Sequence, residues 1–333
     1  MSLWSEVHCP RTLSDLVGHE DVRKTLGSFV HTSQLPHLLL HGSSGSGKTA
    51  SIHALIHDLF GEKCESQVLE LNASEQRSIK VIRDTVADFA ASQQPLLHSM
   101  FNRRTSRLKL IVLDEADNLT PDAQCCLRRL MEVYSATTRF CFLCNYAGRI
   151  LPALRSRCCE FRFRPVPPDA VAARLAYVAA KEGITLDQQA VIAIQQVAAG
   201  DLRRALGIFQ NVVVGESFTG GEGCPDREGI ITAAQVYRVA AAPDPLDVER
   251  LLVYCFNCDL RQRFLLLKTF VRNGSVCPTN LVAAFGVAIA KLDPIFAMPL
   301  TVALADVEDM ACRENANGTA LLAALAAAVH IRV

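Results

Sequence analysis

The segment Gly42–Thr49 limits the fold of this chain more than any other stretch. Its sequence GSSGSGKT matches the pattern G-x-x-x-x-G-K-[ST] at every fixed position. The apolar run Leu38–Leu40 before it predicts a strand, and a helix is expected to begin near Lys48. A glycine-rich turn between a strand and a helix directs backbone N–H groups and the positive end of the helix dipole toward a phosphate. The sequence therefore predicts a P-loop that binds a nucleoside triphosphate.

The side chains of this loop have separate expected tasks, with ATP and Mg²⁺ as the expected cofactors. Lys48 is expected to pair with the β- and γ-phosphates, and the Thr49 hydroxyl is expected to bind Mg²⁺. The arm over residues 4–20 is expected to contact the base, with Val17 as its apolar contact. The predicted nucleotide-binding residues of the loop are Gly42, Ser43, Ser44, Gly45, Ser46, Gly47, Lys48 and Thr49.

A second phosphate-handling element follows about 65 residues later. Leu110–Leu113 is a continuous apolar run that predicts a strand buried on both faces, and it ends in Asp114 and Glu115. A carboxylate at the end of such a strand is suited to hold the Mg²⁺ shell, which is the predicted role of Asp114. Glu115, one residue further on, is expected to polarise the attacking water.

Two more polar sites follow the next predicted strand, Phe140–Leu143. Asn145 comes directly after it and is expected to orient the lytic water beside the γ-phosphate. Arg155 and Arg157 lie far in sequence from the P-loop, next to the predicted last strand of the sheet. An arginine in that place reaches the nucleotide of an adjacent subunit more easily than its own, as arginine fingers do.

Charge and cysteine content argue against an overall attraction to nucleic acid or membrane and against a disulfide-bonded framework. Lysine and arginine (34) balance aspartate and glutamate (34), so no overall field attracts nucleic acid or membrane and any basic surface must be local. The 13 cysteines are scattered and no signal peptide is recognised, which indicates a reducing cytosol or nucleus. Cys141 and Cys144 are expected to face opposite sides of one strand, as small apolar residues rather than metal ligands.

Two weaker patterns point to macromolecular partners. Arg77, Lys80 and Arg83 are spaced three apart on a predicted helix, either as a phosphate-following stripe or as an ordinary solvated face. The segment QPLLHSMF loosely fits the box with which replication proteins bind a sliding clamp, or else it is a loop tucked under the sheet. Its predicted clamp-binding residues are Gln94, Leu97, Met100 and Phe101.

Beyond the sheet domain the sequence predicts helices. Three are expected, at Asp169–Glu182, Thr185–Ala199 and Asp201–Val213, before a glycine-rich stretch. The helices after it are apolar over a wide arc, which predicts packing against other subunits. The expected organisation is an α/β P-loop domain at residues 1–165, a helical lid at 166–214, a flexible linker at 215–229 and an all-α collar at 230–333.

Taken together, seven blocks between Trp4 and about Gln210 resemble the small subunits of replication factor C, the AAA+ clamp loader. The blocks are LPHLL, LELNAS, LIVLDEADNLTPDAQ, LRRLME, TTRFCFLCNY, ILPALRSRC and GDLRRAL. The resemblance implies an AAA+ fold with a parallel sheet and flanking helices. By position it implies that Asn145 is sensor 1, Arg157 is a finger acting in trans and Arg203 is sensor 2 on a helical lid.

The resemblance also implies partners and a location. These are the other replication factor C subunits of a heteropentamer, the sliding clamp, primer-template DNA and the nucleus, with no membrane. It supports a DNA-tracking role for the stripe of Arg77, Lys80 and Arg83, and a clamp-facing role for residues 94–101.

Two alternatives remain open on the sequence. The family's K-Y-R-P is Val7-His8-Cys9-Pro10 here, so three side chains expected near the base are replaced. That change favours a scaffold subunit that binds nucleotide, hydrolyses little and supplies only its finger, whereas the intact Lys48, Asp114 and Glu115 favour an ATPase. A subunit of a checkpoint clamp loader or of another AAA+ remodeller would share all these motifs.

Overall fold

A five-stranded parallel sheet forms the centre of the first half of the chain. The computed structural model describes residues 2–32, 34–61, 66–74, 79–92, 108–219, 230–313 and 317–329. The strands are β1 (His37–Gly42), β2 (Val68–Asn72), β3 (Lys109–Asp114), β4 (Thr138–Cys144) and β5 (Cys158–Phe163). Their order in the sheet is β2-β3-β4-β1-β5, so β1 lies between β4 and β5. All four pairings are parallel.

Alternate residues of the central strands face two separate cores, as the two-residue period of a strand requires. On β1, Leu38 and Leu40 belong to one core, while Leu39 belongs to the other. On β4, Cys141 lies in the first core and Cys144 in the second, so the prediction that these cysteines face opposite ways is confirmed. Both faces of the sheet are covered, which explains why the central strands β1, β3 and β4 are largely apolar runs.

Helices cover the two faces. The helices of this region are α1 (Trp4–Val7), α2 (Glu20–Thr32), α3 (Lys48–Phe60), α4 (Ile79–Ala91), α5 (Pro121–Val133) and α6 (Pro152–Arg155). Helices α2 and α3 pack on one core through Leu26, Ile52 and Leu55, and helices α4 and α5 pack on the other through Val86 and Leu127. Helix α5 begins with Thr120 as its N-cap, whose hydroxyl accepts from the N–H of Ala123.

The lysine at the start of β3 fixes the end of α4. Lys109 is buried, and its Nζ donates to the carbonyl of Phe89 (2.6 Å) and to the hydroxyl of Ser92 (2.9 Å). It also lies over the Phe89 ring, 5.2 Å from the centroid. A cation beside the last carbonyls of a helix satisfies acceptors that have no partner within the helix. The end of α4 is therefore joined to the strand that leads to Asp114.

The three helices predicted after residue 168 are present with two differences. They are α7 (Pro168–Glu182), α8 (Gln188–Ala198) and α9 (Leu202–Thr219). The prediction of helix from Thr185 is wrong at its start, because Thr185–Leu186 forms strand β6 and pairs in parallel with β7 (Ile230–Ile231). Helix α9 continues to Thr219, five residues into the segment predicted as a linker, and residues 220–229 lie outside the described part of the chain.

The region after residue 230 is helical, as predicted. Its six described helices are α10 (Ala233–Val239), α11 (Pro245–Phe256), α12 (Leu260–Gly274), α13 (Pro278–Ile289), α14 (Pro294–Cys312) and α15 (Gly318–Ala328). Leu251, Leu267, Phe285, Leu304 and Leu325 are among the residues of their shared core. Proline at the first turn of α11, α13 and α14 fits the position where a missing N–H costs nothing.

The contacts divide the chain into two compact units. One comprises Met1–Val178 with Ala198–Gly207, and the other comprises Ala179–Val197 with Ile208–Val333. The finer division into a sheet domain, a lid, a linker and a collar stays a prediction. No helix among the described residues is long and apolar enough to cross a membrane.

The histidine at the start of β1 makes the first unit sensitive to acid. Nδ1 of His37 accepts a hydrogen bond from the backbone N–H of Phe140 at 3.1 Å, which requires an unprotonated nitrogen. Burial and the neighbouring Arg139 lower the pKa of His37 from 6.5 to about 4. Below pH 6.5 the unfolded chain takes up a proton that the folded chain refuses until about pH 4, so stability is lost as the pH falls through this range.

We expect His37→Gln to remove this part of the acid sensitivity, because the amide oxygen can accept the same N–H and does not titrate. Between pH 6.5 and 4 the unfolding free energy of the wild type should fall by about 2 kcal/mol more than that of the variant. Urea unfolding at several pH values measures the difference. His31→Gln, at the exposed end of α2, is the matched control, and equal pH dependence of His37→Gln and wild type would contradict the assignment.

Candidate nucleotide-binding site

The polar residues predicted from the two phosphate motifs meet at one edge of the sheet. Strands β1, β3 and β4 are parallel neighbours, so their carboxyl ends lie together, and these ends carry Gly42, Asp114 and Asn145. This is where ligands bind in open parallel sheets. The cleft at this edge has a volume of about 470 Å³ and lies entirely within the first unit.

The ammonium group of Lys48 is the centre of the site. Its Nζ donates to the carbonyls of Gly42 (2.8 Å) and Ser43 (2.9 Å) and to Oδ1 of Asn145 (2.9 Å). Burial lowers the pKa of Lys48, and the nearby Asp114 carboxylate opposes that shift. The structure thus brings Asn145 next to the P-loop lysine across 97 positions of sequence.

The acidic pair at the end of β3 has two different surroundings. Oδ2 of Asp114 accepts from the Thr49 hydroxyl at 3.4 Å, while its Oδ1 accepts from the N–H of Glu115 at 2.8 Å. Glu115 has a left-handed backbone (φ 52°), and its Oε2 accepts from Nδ2 of Asn118 at 3.1 Å. Asp114 therefore points toward the P-loop helix, and a short turn holds Glu115 beside it.

The donor set suits Mg²⁺ held partly by phosphate. A hydroxyl and a carboxylate that lie side by side are hard oxygen ligands, and Mg²⁺ in such sites takes one or two carboxylates together with the phosphates. Within the described part of the chain no cluster of three or more histidine, cysteine or acidic side chains could hold a metal by itself. Thr49 and Asp114 therefore fit a cation that arrives with its nucleotide.

The start of α9 packs against the P-loop at Gly45. Gly45 has a positive φ of 62°, and a Cβ placed on it would lie 1.7 Å from Oδ1 of Asp201. That same Oδ1 accepts from the N–H of Arg204 (2.9 Å), so Asp201 caps the helix, and the N–H of Leu202 donates to the carbonyl of Gly45 at 3.1 Å. This arrangement places Arg203 in the lining of the cleft.

The other end of the cleft contains the N-terminal arm. Val17, the residue predicted to contact the base, lines it. His19 lines it too, with its ring 4.8 Å from that of Phe163, and burial lowers the pKa of this histidine. Arg174 of α7 also lines the cleft, donates to the carbonyl of His8 and lies over the ring of Tyr177 at 5.0 Å.

Sequence reasoning missed Asp201, His19 and Arg174. The aspartate was predicted as the first residue of a helix, whereas it caps a helix that begins at Leu202, and its contact with Gly45 depends on tertiary structure. Arg174 is a single arginine within an apolar helical pattern, and nothing in its spacing separates it from a solvated side chain. Asp201 reaches the P-loop and Arg174 reaches the cleft only because the chain returns to this edge after the sheet is complete.

The two arginines near β5 have separate partners outside the cleft lining. Arg157 donates from Nη2 to Oε1 of Glu132 at 2.7 Å and from Nη1 to the carbonyl of Ala153 at 2.7 Å. Arg155 instead bonds both carboxylate oxygens of Glu160, at 2.9 and 3.0 Å. Neither arginine is among the described residues that line the cleft of its own chain.

The residues predicted to meet DNA and the clamp are described only in part. Lys80 and Arg83 lie on α4, and Arg83 is exposed and pairs with Asp84 at 2.9 Å. Arg77 lies outside the described residues. The same is true of the whole predicted clamp segment, Gln94, Leu97, Met100 and Phe101. The role of each predicted site residue stays a prediction.

Comparison with known proteins identifies the type of domain. Residues 38–166 match the model of the family "ATPase family associated with various cellular activities (AAA)". The chain is 35% identical to the probable replication factor C subunit 5 of Dictyostelium discoideum, over 92% of this chain and 84% of that protein. It is 40% identical to the replication factor C small subunit of Aeropyrum pernix (82% and 78%) and 38% identical to replication factor C subunit 5 of Homo sapiens (77% and 70%).

Solved structures with a similar fold include a mutant of RuvB from Thermotoga maritima. The similarity has a TM-score of 0.57 at 17% identity and covers 84% of this chain and 85% of the other. At that level of identity the likeness concerns the fold alone. It agrees with a P-loop sheet domain followed by a helix-rich region.

We expect Gly45→Ala to damage the cleft, because the added Cβ would meet the Asp201 carboxylate and the positive φ would be strained. The substitution should weaken binding of a fluorescent ATP analogue by about 10-fold or more and lower stability by about 2 kcal/mol. Gly207→Ala is the matched control. Gly207 lies on α9, the helix that Asp201 caps, and a Cβ at this position would meet nothing within 4 Å. The unfolding free energy of Gly207→Ala should rise by up to about 1 kcal/mol. Unchanged affinity in Gly45→Ala would contradict the contact.

Proposed function

The chain belongs to the replication factor C small-subunit family, and we propose that it is an ATP-hydrolysing subunit of a heteropentameric clamp loader. Its family consists of AAA ATPases that act within clamp loader complexes for DNA replication. The proposed task is to bind ATP together with neighbouring subunits, open a sliding clamp and place it on primer-template DNA. The relatives do not favour the alternative of a scaffold with little hydrolysis.

One observation carries the ATPase part of the proposal. Lys48, Asn145 and Asp114 converge on a single cleft, and the ammonium group contacts the amide oxygen at 2.9 Å. A polar amide beside the lysine and an acidic pair next to the predicted phosphate position are the groups expected to position an attacking water and Mg²⁺. Phosphoryl transfer depends mostly on such positioning and on charge stabilisation.

Each residue of the cleft has a proposed role. Loop N–H groups and Lys48 hold the phosphates, while Thr49 and Asp114 hold Mg²⁺, which neutralises phosphate charge when it is bound. Glu115 polarises the attacking water and Asn145 orients it. Arg203 reaches the γ-phosphate from the start of α9, and Val17 contacts the base.

The finger role is proposed for Arg157 because of its place in the family-like block ILPALRSRC, and its surface position agrees with that role. Its side chain is 37% exposed and is held on the surface by Glu132, outside the lining of its own cleft. A guanidinium exposed in that position is accessible to a neighbouring subunit's nucleotide. We propose that DNA binding brings the two subunits into this contact, so that hydrolysis and release of the complex follow.

The proposed partners follow from the family and from local charge. Arg77, Lys80 and Arg83 on or next to α4 are proposed to contact DNA phosphates, and Gln94, Leu97, Met100 and Phe101 are proposed to contact the clamp. The eukaryotic relatives support a nuclear location.

The all-α unit offers a surface for assembly. On α14, Ile295, Met298 and Val302 are 80%, 71% and 70% exposed, and their spacing places them on one stripe. Three large apolar side chains left in water on one helix indicate a contact with another subunit. We propose that this stripe packs against a neighbouring member of the ring, which would be another replication factor C subunit.

We expect Lys48→Ala and Arg157→Ala to affect different steps in the reconstituted complex. Lys48→Ala should reduce the stoichiometry of a bound non-hydrolysable ATP analogue by one per complex. Arg157→Ala should leave that stoichiometry unchanged but reduce turnover at the site that receives the finger by about 10³-fold. Nucleotide counting and clamp- and DNA-stimulated hydrolysis measure the two effects.

Arg155→Ala is the matched control for the finger, because Arg155 has the same 37% exposure and also loses one exposed ion pair. Its turnover should stay within about twofold of wild type. Unchanged turnover in Lys48→Ala together with lost turnover in Arg157→Ala would support the scaffold alternative instead.

A charge on the apolar stripe is expected to prevent assembly. Met298→Glu should weaken incorporation into the complex by about 10-fold or more, since a carboxylate would be buried without a partner. Gln262→Glu, an exposed N-terminal position of α12 that tolerates glutamate, adds the same charge as a control. Sedimentation of the mixed subunits measures assembly, and normal assembly of Met298→Glu would exclude this surface.

A further inference from the structure

We propose that Glu132 is a positioning residue for the finger arginine, Arg157. The inference rests on the proposed function, because it assumes that Arg157 acts on a neighbouring subunit's nucleotide. It adds that Glu132 sets the direction of the guanidinium before the two subunits meet. Glu132 touches neither nucleotide nor phosphate in this role and acts only through Arg157.

Two contacts fix the plane of the Arg157 guanidinium. Nη2 donates to Oε1 of Glu132 and Nη1 donates to the carbonyl of Ala153, both at 2.7 Å. The backbone beneath it is also held, because the N–H of Arg157 donates to the carbonyl of Leu154 at 3.0 Å. Contacts at both terminal nitrogens prevent rotation about the last side-chain bonds. They use two of the five N–H donors that a guanidinium carries.

The position of Glu132 in its own helix is locally unfavourable. It lies one residue before the end of α5, where the helix dipole is negative, and the last turn of α5 contains no basic residue. A carboxylate there is expected to destabilise the helix end. Arg128 and Arg129 are nearer in sequence, yet the ion pair forms with Arg157. A residue that breaks a local preference and meets one specific partner is best explained by that partner.

The ion pair is too exposed to serve mainly as a source of stability. The side chains of Arg157 and Glu132 are 37% and 49% exposed, and pairs of this kind contribute little to folding. An arginine on a surface otherwise samples many rotamers, and a finger must reach its phosphate in one of them. The main effect of the Glu132–Arg157 ion pair is therefore to orient the guanidinium.

A different carboxylate holds the neighbouring arginine, so the two do not compete. Arg155 bonds Glu160 on β5, and Glu160 also contacts Nε2 of His41 at 3.0 Å. Glu132 lies on α5 and is bonded only to Arg157 among the described ion pairs. Each arginine of this short turn thus has its own acceptor, and only the one held by Glu132 is the proposed finger.

The test compares Glu132→Ala, Glu132→Gln, Arg157→Ala and the double variant Glu132→Ala/Arg157→Ala in the reconstituted complex with clamp and primer-template DNA. Glu132→Ala should lose at least half of the turnover that Arg157→Ala loses, with an unchanged KM for ATP. The double variant should be no worse than Arg157→Ala, because Glu132 acts through it. Glu132→Gln keeps an oxygen that accepts from Nη2 and should recover most of the turnover.

Glu249→Ala is the matched control, since it breaks an ion pair with Lys291 of similar exposure in the all-α unit. Its turnover should equal that of wild type, and all variants should assemble equally. If Arg157→Ala loses turnover but Glu132→Ala does not, the inference fails and the proposed function stands. If Arg157→Ala keeps its turnover, the finger role fails and the inference fails with it. Faster turnover in Glu132→Ala would mean that the pair restrains the finger, which overturns the positioning role.

Discussion

The ammonium group of Lys48 needs three oxygen acceptors in a largely buried place, and the arrangement of the first unit supplies them. Two are carbonyls of Gly42 and Ser43, which the turn after β1 directs inward, and the third is the side chain of Asn145 at the end of β4. A buried lysine without such partners would be costly to fold. The pairing of β1 with β4 therefore matters beyond sheet stability, because it brings the amide to the lysine.

The polar groups of the cleft and the guanidinium of Arg157 lie in different parts of the first unit. Phosphate-binding groups come from the ends of β1, β3 and β4, which are adjacent, whereas Arg157 precedes β5 and is directed by α5 to the surface. One chain can in this way hold a nucleotide and present a guanidinium elsewhere. In the proposed assembly two subunits complete one catalytic site, so nucleotide turnover would report on their contact.

Those parts of the fold and of the cleft that depend on a local sequence pattern could be predicted from the sequence. The strand, loop and helix around Lys48, the buried strand that ends in Asp114, and the opposite faces of Cys141 and Cys144 follow from short-range periodicity. The pairing of Thr185–Leu186 with Ile230–Ile231 could not, because two residues carry no periodicity and their partner lies far along the chain. Arg174 and Asp201 were missed for the same reason, since only tertiary contacts bring Arg174 to the cleft and Asp201 to Gly45 of the P-loop.

The close approach of Gly45 and Asp201 couples two residues that are far apart in the sequence. The carboxylate occupies the volume that a side chain at position 45 would need, and it simultaneously caps α9. A larger residue at 45 would have to adopt the positive φ of Gly45 and would displace the Asp201 carboxylate, which would disturb the cap of the helix that carries Arg203. The two positions are therefore expected to evolve as a pair, and substitutions that alter one alone should be rare among functional variants of this chain.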